Sequence, residues 1–130
     1  MRDPIIITGT PRSGIWMVAG ALTVAGAFAG SPGDRERQAG EPEILSIRDR
    51  MERPLLEGLG FEPRGLGQLP SHQQIKGLAD KMGEQWRLLV NDIFVKQGYQ
   101  ESGVRLVTSQ VASILWPLWH AAFPKAKWIV

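Results

Sequence analysis

The sequence contains no cysteine, which excludes disulfide bonds and thiolate metal sites. It contains two histidines, His72 and His120, and their wide separation does not supply the ligand cluster of a zinc site. An excess of one charge is also missing, because fifteen Lys and Arg against thirteen Asp and Glu leave a formal net charge of +2. We therefore expect neither a bound metal nor a nucleic-acid partner.

A long apolar run is missing as well. The uncharged stretch from Gly14 to Gly30 is shorter than a membrane-spanning helix, which takes about 20 apolar residues. It is also too rich in Gly and Ala for such a helix. Ala27-Phe28-Ala29 looks like a signal-peptidase site, so a cleaved signal peptide is an alternative. The preceding Ile5-Ile6-Ile7 and glycine-proline turn form a poor start for such a peptide. We interpret the stretch as a buried helix of a cytoplasmic protein that does not bind membranes.

The length and composition are those of one domain. The chain has 130 residues, of which 43% are hydrophobic and 22% charged, as in ordinary globular proteins. Residues 31–43 (SPGDRERQAGEPE) are polar and contain Gly and Pro, which predicts a flexible surface loop. We expect a single domain over residues 1–130, interrupted by this loop.

Three short apolar runs predict buried parallel strands, at Pro4–Thr8, Val104–Thr108 and Lys127–Val130. Helical patterns separate them, and crossovers of this kind imply a parallel sheet with right-handed connections. The pattern predicts an α/β protein of the P-loop type, with three layers in which a short parallel sheet is flanked by helices. Because the sequence ends within an apolar strand, we expect an incomplete domain whose exposed C-terminal strand promotes self-association.

Four helical segments are predicted between the strands. The first begins at Ser13 as N-cap, runs to about Ala29 and is apolar almost all round, so we expect it to be deeply packed. The second follows residue 43, and Pro54 should kink or restart it. The third begins with a capping box of Ser71 and Gln74 and ends at Gly98. The fourth carries an apolar stripe over residues 111–122, broken only at Pro117.

A glycine-framed turn joins the first strand to the first helix. Gly9 to Gly14 (GTPRSG) follows the strand directly, and such a turn points successive backbone N–H groups and a helix N-terminus at one anion. Arg12 lies inside the turn and can reach phosphate oxygens. We predict a phosphate-binding turn here, and a tight turn without a ligand is the alternative.

The turn departs from the loop of magnesium-dependent nucleotide hydrolases. Gly9 and Gly14 have the spacing of G-x-x-x-x-G-K-[ST], but Ile15 and Trp16 occupy the positions of the Lys and the hydroxyl residue. Because these two residues serve the terminal phosphates and the magnesium ion, the departure disfavours a kinase or GTPase. A small-molecule kinase with an unusual loop stays an alternative, which magnesium-dependent ATP hydrolysis would test.

Three segments together resemble bacterial-type sulfotransferases. ITGTPRSG at residues 7–14 is similar to the family's 5′-phosphosulfate loop, and SIRDRMERPLLEGLGFEPRG at residues 46–65 is similar to the segment after its first variable loop. LWPLWHAAFPKAKWIV at residues 115–130 looks like the helix and strand that lead into its 3′-phosphate site. The resemblance implies a P-loop α/β fold that transfers a sulfuryl group from 3′-phosphoadenosine 5′-phosphosulfate to an acceptor hydroxyl or amine, without a metal.

The resemblance also assigns roles to particular residues. It implies that the donor is held by Gly9, Thr10, Pro11, Arg12, Ser13 and Gly14. Arg12 would neutralise charge on the bridging oxygen as the sulfuryl group leaves. Glu43 matches a carboxylate near the acceptor and is the candidate base, although a first-turn glutamate that favours the helix dipole is an alternative.

Several positions depart from the family. Ile15 and Trp16 replace two hydroxyl residues, and Thr108-Ser109-Gln110 stand near the place of a Lys-Asp-Pro sequence. Trp16 could block the anion site or stack on an adenine. These departures favour a second hypothesis, a catalytically impaired relative or fragment that acts as a binding protein. We interpret Arg48, Asp49, Arg50, Glu52 and Arg53 as a solvated helix face with local ion pairs. His120 is interpreted as a helix-surface or packing residue rather than a catalytic one.

Overall fold

The computed structural model describes residues 1–10, 13–30, 45–100 and 102–130. The elements in chain order are β1 (Ile5–Ile7), α1 (Ile15–Val24), α2 (Leu45–Ile47), a π-helical turn (Arg48–Glu52), α3 (Arg53–Gly58), α4 (His72–Lys96), β2 (Leu106–Thr108), α5 (Trp116–Ala122) and β3 (Lys127–Ile129). The protein is therefore an α/β protein. The predicted loop at residues 31–43 lies outside the described residues.

The three strands form one parallel sheet in the order β2-β1-β3. Ile6 of the central strand pairs with Val107 on one side and with Trp128 on the other. Phe28 adds an isolated parallel bridge to Arg105, on the outer side of β2. The parallel sheet and its three strands confirm the prediction from the apolar runs.

Helices cover both faces of the sheet. Because side chains alternate along a strand, Ile7 and Leu106 pack against Ile15 and Ala19 of α1 on one face. Ile6 and Val107 face the opposite way, into the larger core that the remaining helices build. This arrangement gives three layers, as the sequence predicts.

Helix α1 differs from the prediction in its bounds and in its burial. Gly14, with φ of 87°, is the N-cap in place of Ser13, and the helix ends at Val24 rather than near Ala29. Met17 is 80% and Val24 is 91% exposed, so the expectation of a deeply packed helix is wrong. Among the described residues the sheet has three strands, and a single face of α1 is enough to cover them.

The segment around Pro54 restarts as predicted, through a π-helical turn. Pro54 has no N–H to donate to the carbonyl of Arg50, and its ring would collide with that carbonyl. The N–H of Arg53 reaches back five residues to the carbonyl of Arg48, and α3 continues with Pro54 in its first turn. The wide turn changes which side chains of this segment point inward.

Helix α4 follows the prediction closely. Ser71 and Gln74 form the reciprocal capping box, with N···O distances of 3.2 Å and 2.8 Å. Gly98 adopts a left-handed φ of 96° directly after the helix. Local side-chain chemistry decides both ends of this helix, which is why a sequence pattern predicts them.

Helices α4 and α5 pack so closely that one position requires glycine. A Cβ on the buried Gly83 would lie 2.9 Å from the Cβ of Ala121, whereas a Cβ on Gly77 of the same helix meets no atom within 4 Å. We expect Gly77→Ala to raise the free energy of unfolding by about 0.5–1 kcal/mol through helix propensity. Gly83→Ala should lower it, because overpacking costs about 1–3 kcal/mol.

Urea denaturation followed by circular dichroism measures both changes. Gly77→Ala is the control for helix propensity, since it adds the same methyl group to the same helix in open space. Equal stabilisation by the two substitutions would contradict the close packing of α4 on α5.

Candidate functional site

The connections that follow β1 and β2 leave the sheet towards opposite faces. Helix α1 follows β1 and lies on one face, whereas residues 109–115 and α5 follow β2 and lie on the other. In open α/β sheets, ligands bind outside the carboxyl ends of two such strands, at the point where the connections diverge. The topology therefore predicts a ligand site at the carboxyl ends of β1 and β2.

A cleft of about 260 Å³ lies at this point. One wall comes from Trp16, in the first turn of α1, and another from the residues directly after β2. The lining residues are Trp16, Arg48, Glu52, Arg53, Pro63, Arg64, Leu66, Ser109, Gln110 and Val111. The cleft thus combines three arginines and one carboxylate with apolar side chains.

Glu52 is the most unusual residue of the cleft. It is 1% exposed although its side chain is a carboxylate. Ser109 Oγ lies 2.8 Å and 2.7 Å from its two carboxylate oxygens, and Trp119 Nε1 donates to Oε2 at 3.3 Å. The interpretation of Glu52 as part of a solvated helix face is therefore wrong, because this side chain is packed under Ser109 and Trp119.

Burial determines the protonation of Glu52. Desolvation raises its pKa from 4.5 to about 7, because an apolar surrounding disfavours the charged form. The hydrogen bonds from Ser109 and Trp119, together with the charges of Arg48 and Arg53, act in the opposite direction but are weaker. A carboxyl group with this pKa can both accept and release a proton near neutral pH.

The arginines of the cleft are held by neighbouring carboxylates. Arg48 Nε lies 2.9 Å from Asp49 Oδ1, and Arg53 Nη1 lies 3.8 Å from the same oxygen. Arg64 Nε lies 2.7 Å from Glu62 Oε1. Neither Asp49 nor Glu62 is among the residues that line the cleft, whereas all three arginines are. This distribution suits an anionic ligand.

The loop that carries Arg64 is fixed at both its ends. Glu62 Oε2 accepts hydrogen bonds from the N–H groups of Arg64 and Leu66, at 3.0 Å and 3.1 Å. Gly65 has a φ of 78°, and a Cβ there would lie 2.7 Å from Cδ1 of Ile114. Glycine is therefore required where the loop approaches the residues after β2.

The glycine-framed turn lies beside this cleft. A Cβ on Gly9 would lie 2.6 Å from Ser13 Oγ and 2.8 Å from Cγ2 of Ile15, so the turn closes tightly on its first glycine. The Ser13 N–H donates to the Thr10 carbonyl at 3.1 Å, and Gly14 is left-handed. The close contacts at Gly9 and the left-handed backbone at Gly14 thus explain why glycine occupies both positions, as the sequence pattern indicated.

The structure describes some of the predicted site residues and not others. Thr10 and Ser13 are exposed on the turn, whereas Pro11, Arg12 and Glu43 lie outside the described residues. Trp16 reaches the cleft from the helix that follows the turn, and Ser109 and Gln110 reach it from the end of β2. The structure adds Glu52, Arg48, Arg53 and Arg64, which the sequence analysis did not assign to a site.

One sequence signal could have identified Glu52. Leu56 follows it by four residues, and residues with this spacing share one helix face. Leu56 is buried together with Glu52, beside the buried apolar residues Ile47 and Met51 of the same segment. A carboxylate on an apolar face is a stronger indication of a site than a carboxylate on a polar one.

Two other cavities have different positions. A cavity of about 570 Å³, lined among others by Arg2, Asp3 and Lys125, lies at the amino ends of the strands. A cavity of about 370 Å³ lies at the carboxyl ends of β1 and β3, lined by Thr8, Ser113, Trp116, His120, Trp128 and Val130. The second cavity and the glycine-framed turn both lie at the carboxyl ends of the strands.

Some of the tryptophans are buried in the core, whereas Trp116 and His120 lie at the surface. Trp86 and Trp119 are buried and meet edge to face with ring centroids 5.6 Å apart. Trp116 is 45% exposed and stacks on His72, with ring centroids 5.2 Å apart. His120 is exposed, so of the two interpretations, a surface or a packing residue, the first holds.

Two features are absent from the described residues. In residues 1–10, 13–30, 45–100 and 102–130, no three or more His, Asp or Glu side chains gather in a way that could hold a metal ion. No helix within the same ranges has the length and apolarity that crossing a bilayer takes.

Comparisons with known proteins gave no match. No protein-family model, no curated protein and no solved structure is detectably similar to this chain.

Proposed function

We propose that this chain is a P-loop, sulfotransferase-like protein. In this proposal it binds 3′-phosphoadenosine 5′-phosphosulfate and transfers the sulfuryl group to an acceptor hydroxyl or amine. One observation carries it: a turn that needs glycine at both ends follows the central strand of a parallel sheet and adjoins a cleft with three arginines. Transfer of a sulfuryl group requires mainly positioning and charge stabilisation, which such a site can supply.

The turn at residues 9–14 is the proposed donor site. Gly9 and Gly14 allow the tight backbone. The Met17 N–H already bonds the Gly14 carbonyl at 3.1 Å, which leaves the N–H groups of Ile15 and Trp16 without an acceptor among the described residues. These groups and the positive end of the helix favour an anion. Arg12, which lies outside the described residues, completes the proposal by neutralising the bridging oxygen as its bond to sulfur breaks.

The cavity at the carboxyl ends of β1 and β3 is the proposed site of the nucleoside. Its volume is about 370 Å³, and Trp116 and Trp128 supply faces on which an adenine can stack. Thr8, the last residue before the turn, belongs to the same wall. A nucleotide whose phosphates rest on the turn can therefore extend into this cavity rather than into the cleft with Trp16.

Calorimetric titration with 3′-phosphoadenosine 5′-phosphate tests donor binding. We expect Arg12→Ala to weaken binding about 10–100-fold, because a charge-assisted contact contributes ~1.5–3 kcal/mol. Arg50→Ala is the matched control, since Arg50 is an exposed arginine that does not line the cleft. No heat at millimolar nucleotide with folded wild-type protein would refute the proposal.

Two residues support the alternative of a catalytically impaired binding protein. Ile15 is buried against the sheet and Trp16 lines the cleft, so neither offers a hydroxyl to the donor. If this alternative holds, Arg12→Ala leaves any sulfuryl transfer unchanged. A large loss of transfer in Arg12→Ala, with wild-type stability, would exclude it.

Self-association through β3 belongs to the same proposal. β3 lies at one edge of the three-stranded sheet, and Lys127 and Val130 are exposed beside it. An uncovered edge presents N–H and C=O groups that a second copy can pair with. Light scattering over a dilution series should show a mass that falls with concentration, and a monomer at every concentration would contradict this expectation.

A further inference from the structure

Ser109 joins the buried carboxylate to the cleft. Its hydroxyl gives its single hydrogen to Glu52, and it accepts the Ala112 N–H at 3.1 Å. A serine oxygen can accept two hydrogen bonds. Among the described residues no second donor reaches this oxygen, and Ser109 lines the cleft. Ser109 is 2% exposed, and one lone pair of its oxygen has no donor among the described residues.

We propose that Ser109 and Glu52 form a proton relay that activates the acceptor in this cleft. The acceptor group donates its hydrogen bond to Ser109 Oγ, and Ser109 donates to the Glu52 carboxylate. This inference rests on the proposed sulfuryl transfer, and it replaces Glu43 as the base. Ser109 touches the acceptor, whereas Glu52 acts through Ser109.

The chemical step balances in protons and electrons. The acceptor oxygen or nitrogen forms a bond to sulfur while the bond from sulfur to the bridging phosphate oxygen breaks. The electron pair of the broken bond stays on the phosphate that leaves. The acceptor's proton passes to Ser109 Oγ as the Ser109 proton passes to Glu52, which must be ionised beforehand and afterwards returns the proton to solvent.

The lining of the cleft indicates the class of acceptor. Trp16, Pro63 and Leu66 provide apolar surface, and Arg48, Arg53 and Arg64 provide positive charge. An acceptor with a flat apolar body, an acidic group and a hydroxyl or amine matches both. We therefore infer a small hydroxy acid or amino acid of aromatic character, for which 4-hydroxybenzoate is a probe and 4-hydroxybenzamide its uncharged counterpart.

Charged and polar groups around Glu52 affect its pKa. Arg48 and Arg53 act on it from its own segment, and Ser109 and Trp119 bond to it from the end of β2 and from α5. Arg64 lies on the same cleft wall. Because the Trp119 indole N–H donates to Glu52, its NMR resonance reports the protonation of the carboxyl group directly.

The first experiment follows the Trp119 indole resonance of the full chain against pH. We expect a midpoint of about 7 in the wild type, no titration in Glu52→Gln, and a wild-type midpoint in the exposed control Glu57→Gln. Adding 4-hydroxybenzoate should shift this resonance more than adding 4-hydroxybenzamide. A midpoint below 5, or no response to either probe, overturns the proposal.

The second experiment measures transfer to 4-hydroxybenzoate between pH 5 and 9. We expect the wild-type rate to rise with pH through about 7. Glu52→Gln and Ser109→Ala should lower the rate about 100-fold or more and remove this rise, with the affinity for 3′-phosphoadenosine 5′-phosphate unchanged. Glu57→Gln should leave rate and pH profile unchanged.

The same assay separates the relay from its rivals. If Glu43→Gln abolishes transfer while Glu52→Gln keeps the wild-type pH profile, the relay is wrong and donor binding is unaffected. If 3′-phosphoadenosine 5′-phosphate does not bind the wild type, the proposed function fails, and the titration of Trp119 still reports whether the cleft takes the probes. Nucleotide binding without any transfer to 4-hydroxybenzoate refutes the inferred acceptor class.

Discussion

Replacing Trp119 with alanine is expected to lower the free energy of unfolding by about 3–5 kcal/mol, the range for large aromatic truncations in a core. Trp119 is fully buried, and its ring meets both Trp86 and Phe123, at centroid distances of 5.6 Å and 6.1 Å. The substitution also removes the indole N–H from the Glu52 carboxylate. Because natural domains are stable by only about 5–15 kcal/mol, much of the protein should unfold at moderate urea concentrations.

Trp116→Ala is the matched control for this prediction. It removes the same side chain from the same helix, but at a position that is 45% exposed. We expect a loss of about 1 kcal/mol or less for Trp116→Ala, since surface substitutions have small effects. Urea denaturation followed by circular dichroism measures both, and equal losses would contradict the assignment of Trp119 to the centre of the core.

Raising the pH from 4.5 to about 7 is expected to weaken the folded protein by about 3 kcal/mol through Glu52 alone. The pKa of this group is raised in the folded state, from 4.5 to about 7, chiefly by desolvation. In this range the folded state keeps a proton that the unfolded state has lost, so the free energy of unfolding falls as the pH rises. Each pKa unit corresponds to about 1.4 kcal/mol. The contribution is complete below pH 4.5 and is lost above about pH 7.

Glu52→Gln isolates this effect, because glutamine does not titrate. In Glu52→Gln we expect the fall in the free energy of unfolding between pH 4.5 and 7 to be absent. At pH 8 the variant should therefore be more stable than the wild type. Glu57→Gln, an exposed neighbour on α3, should keep the wild-type dependence. Urea denaturation at a series of pH values measures this, and parallel profiles for the wild type and Glu52→Gln would contradict the burial of the charge.

Where a feature depends on residues close in sequence, the sequence predicted it. The capping box of Ser71 and Gln74, the restart at Pro54 and the three parallel strands all follow from local chemistry or from apolar runs. The apolar stripe over residues 111–122 was less well predicted. Turns occupy residues 110–115, and α5 begins at Trp116 with Pro117 in its first turn, because proline fits that position.

The errors share one physical cause, which is packing that local patterns do not contain. Ser13 is a good N-cap residue, but its N–H bonds the Thr10 carbonyl, and the left-handed Gly14 is the N-cap. α1 ends at Val24 because Phe28 pairs with Arg105 beyond β2. Neither constraint can be read from residues 13–29 alone.

By itself the sequence determined the class of fold, the strands and a glycine-framed turn, because hydrophobic periodicity and backbone preferences act over a few residues. Only the tertiary structure decided that Glu52 and Ser109, far apart in the chain, share hydrogen bonds at a cleft. The reason is physical: the raised pKa of Glu52 comes from desolvation by burial, which outweighs the hydrogen bonds from Ser109 and Trp119 that lower it. Desolvation depends on which surfaces meet in the folded chain. The spacing of Glu52 and Leu56 indicates a shared helix face, but it does not say what covers that face.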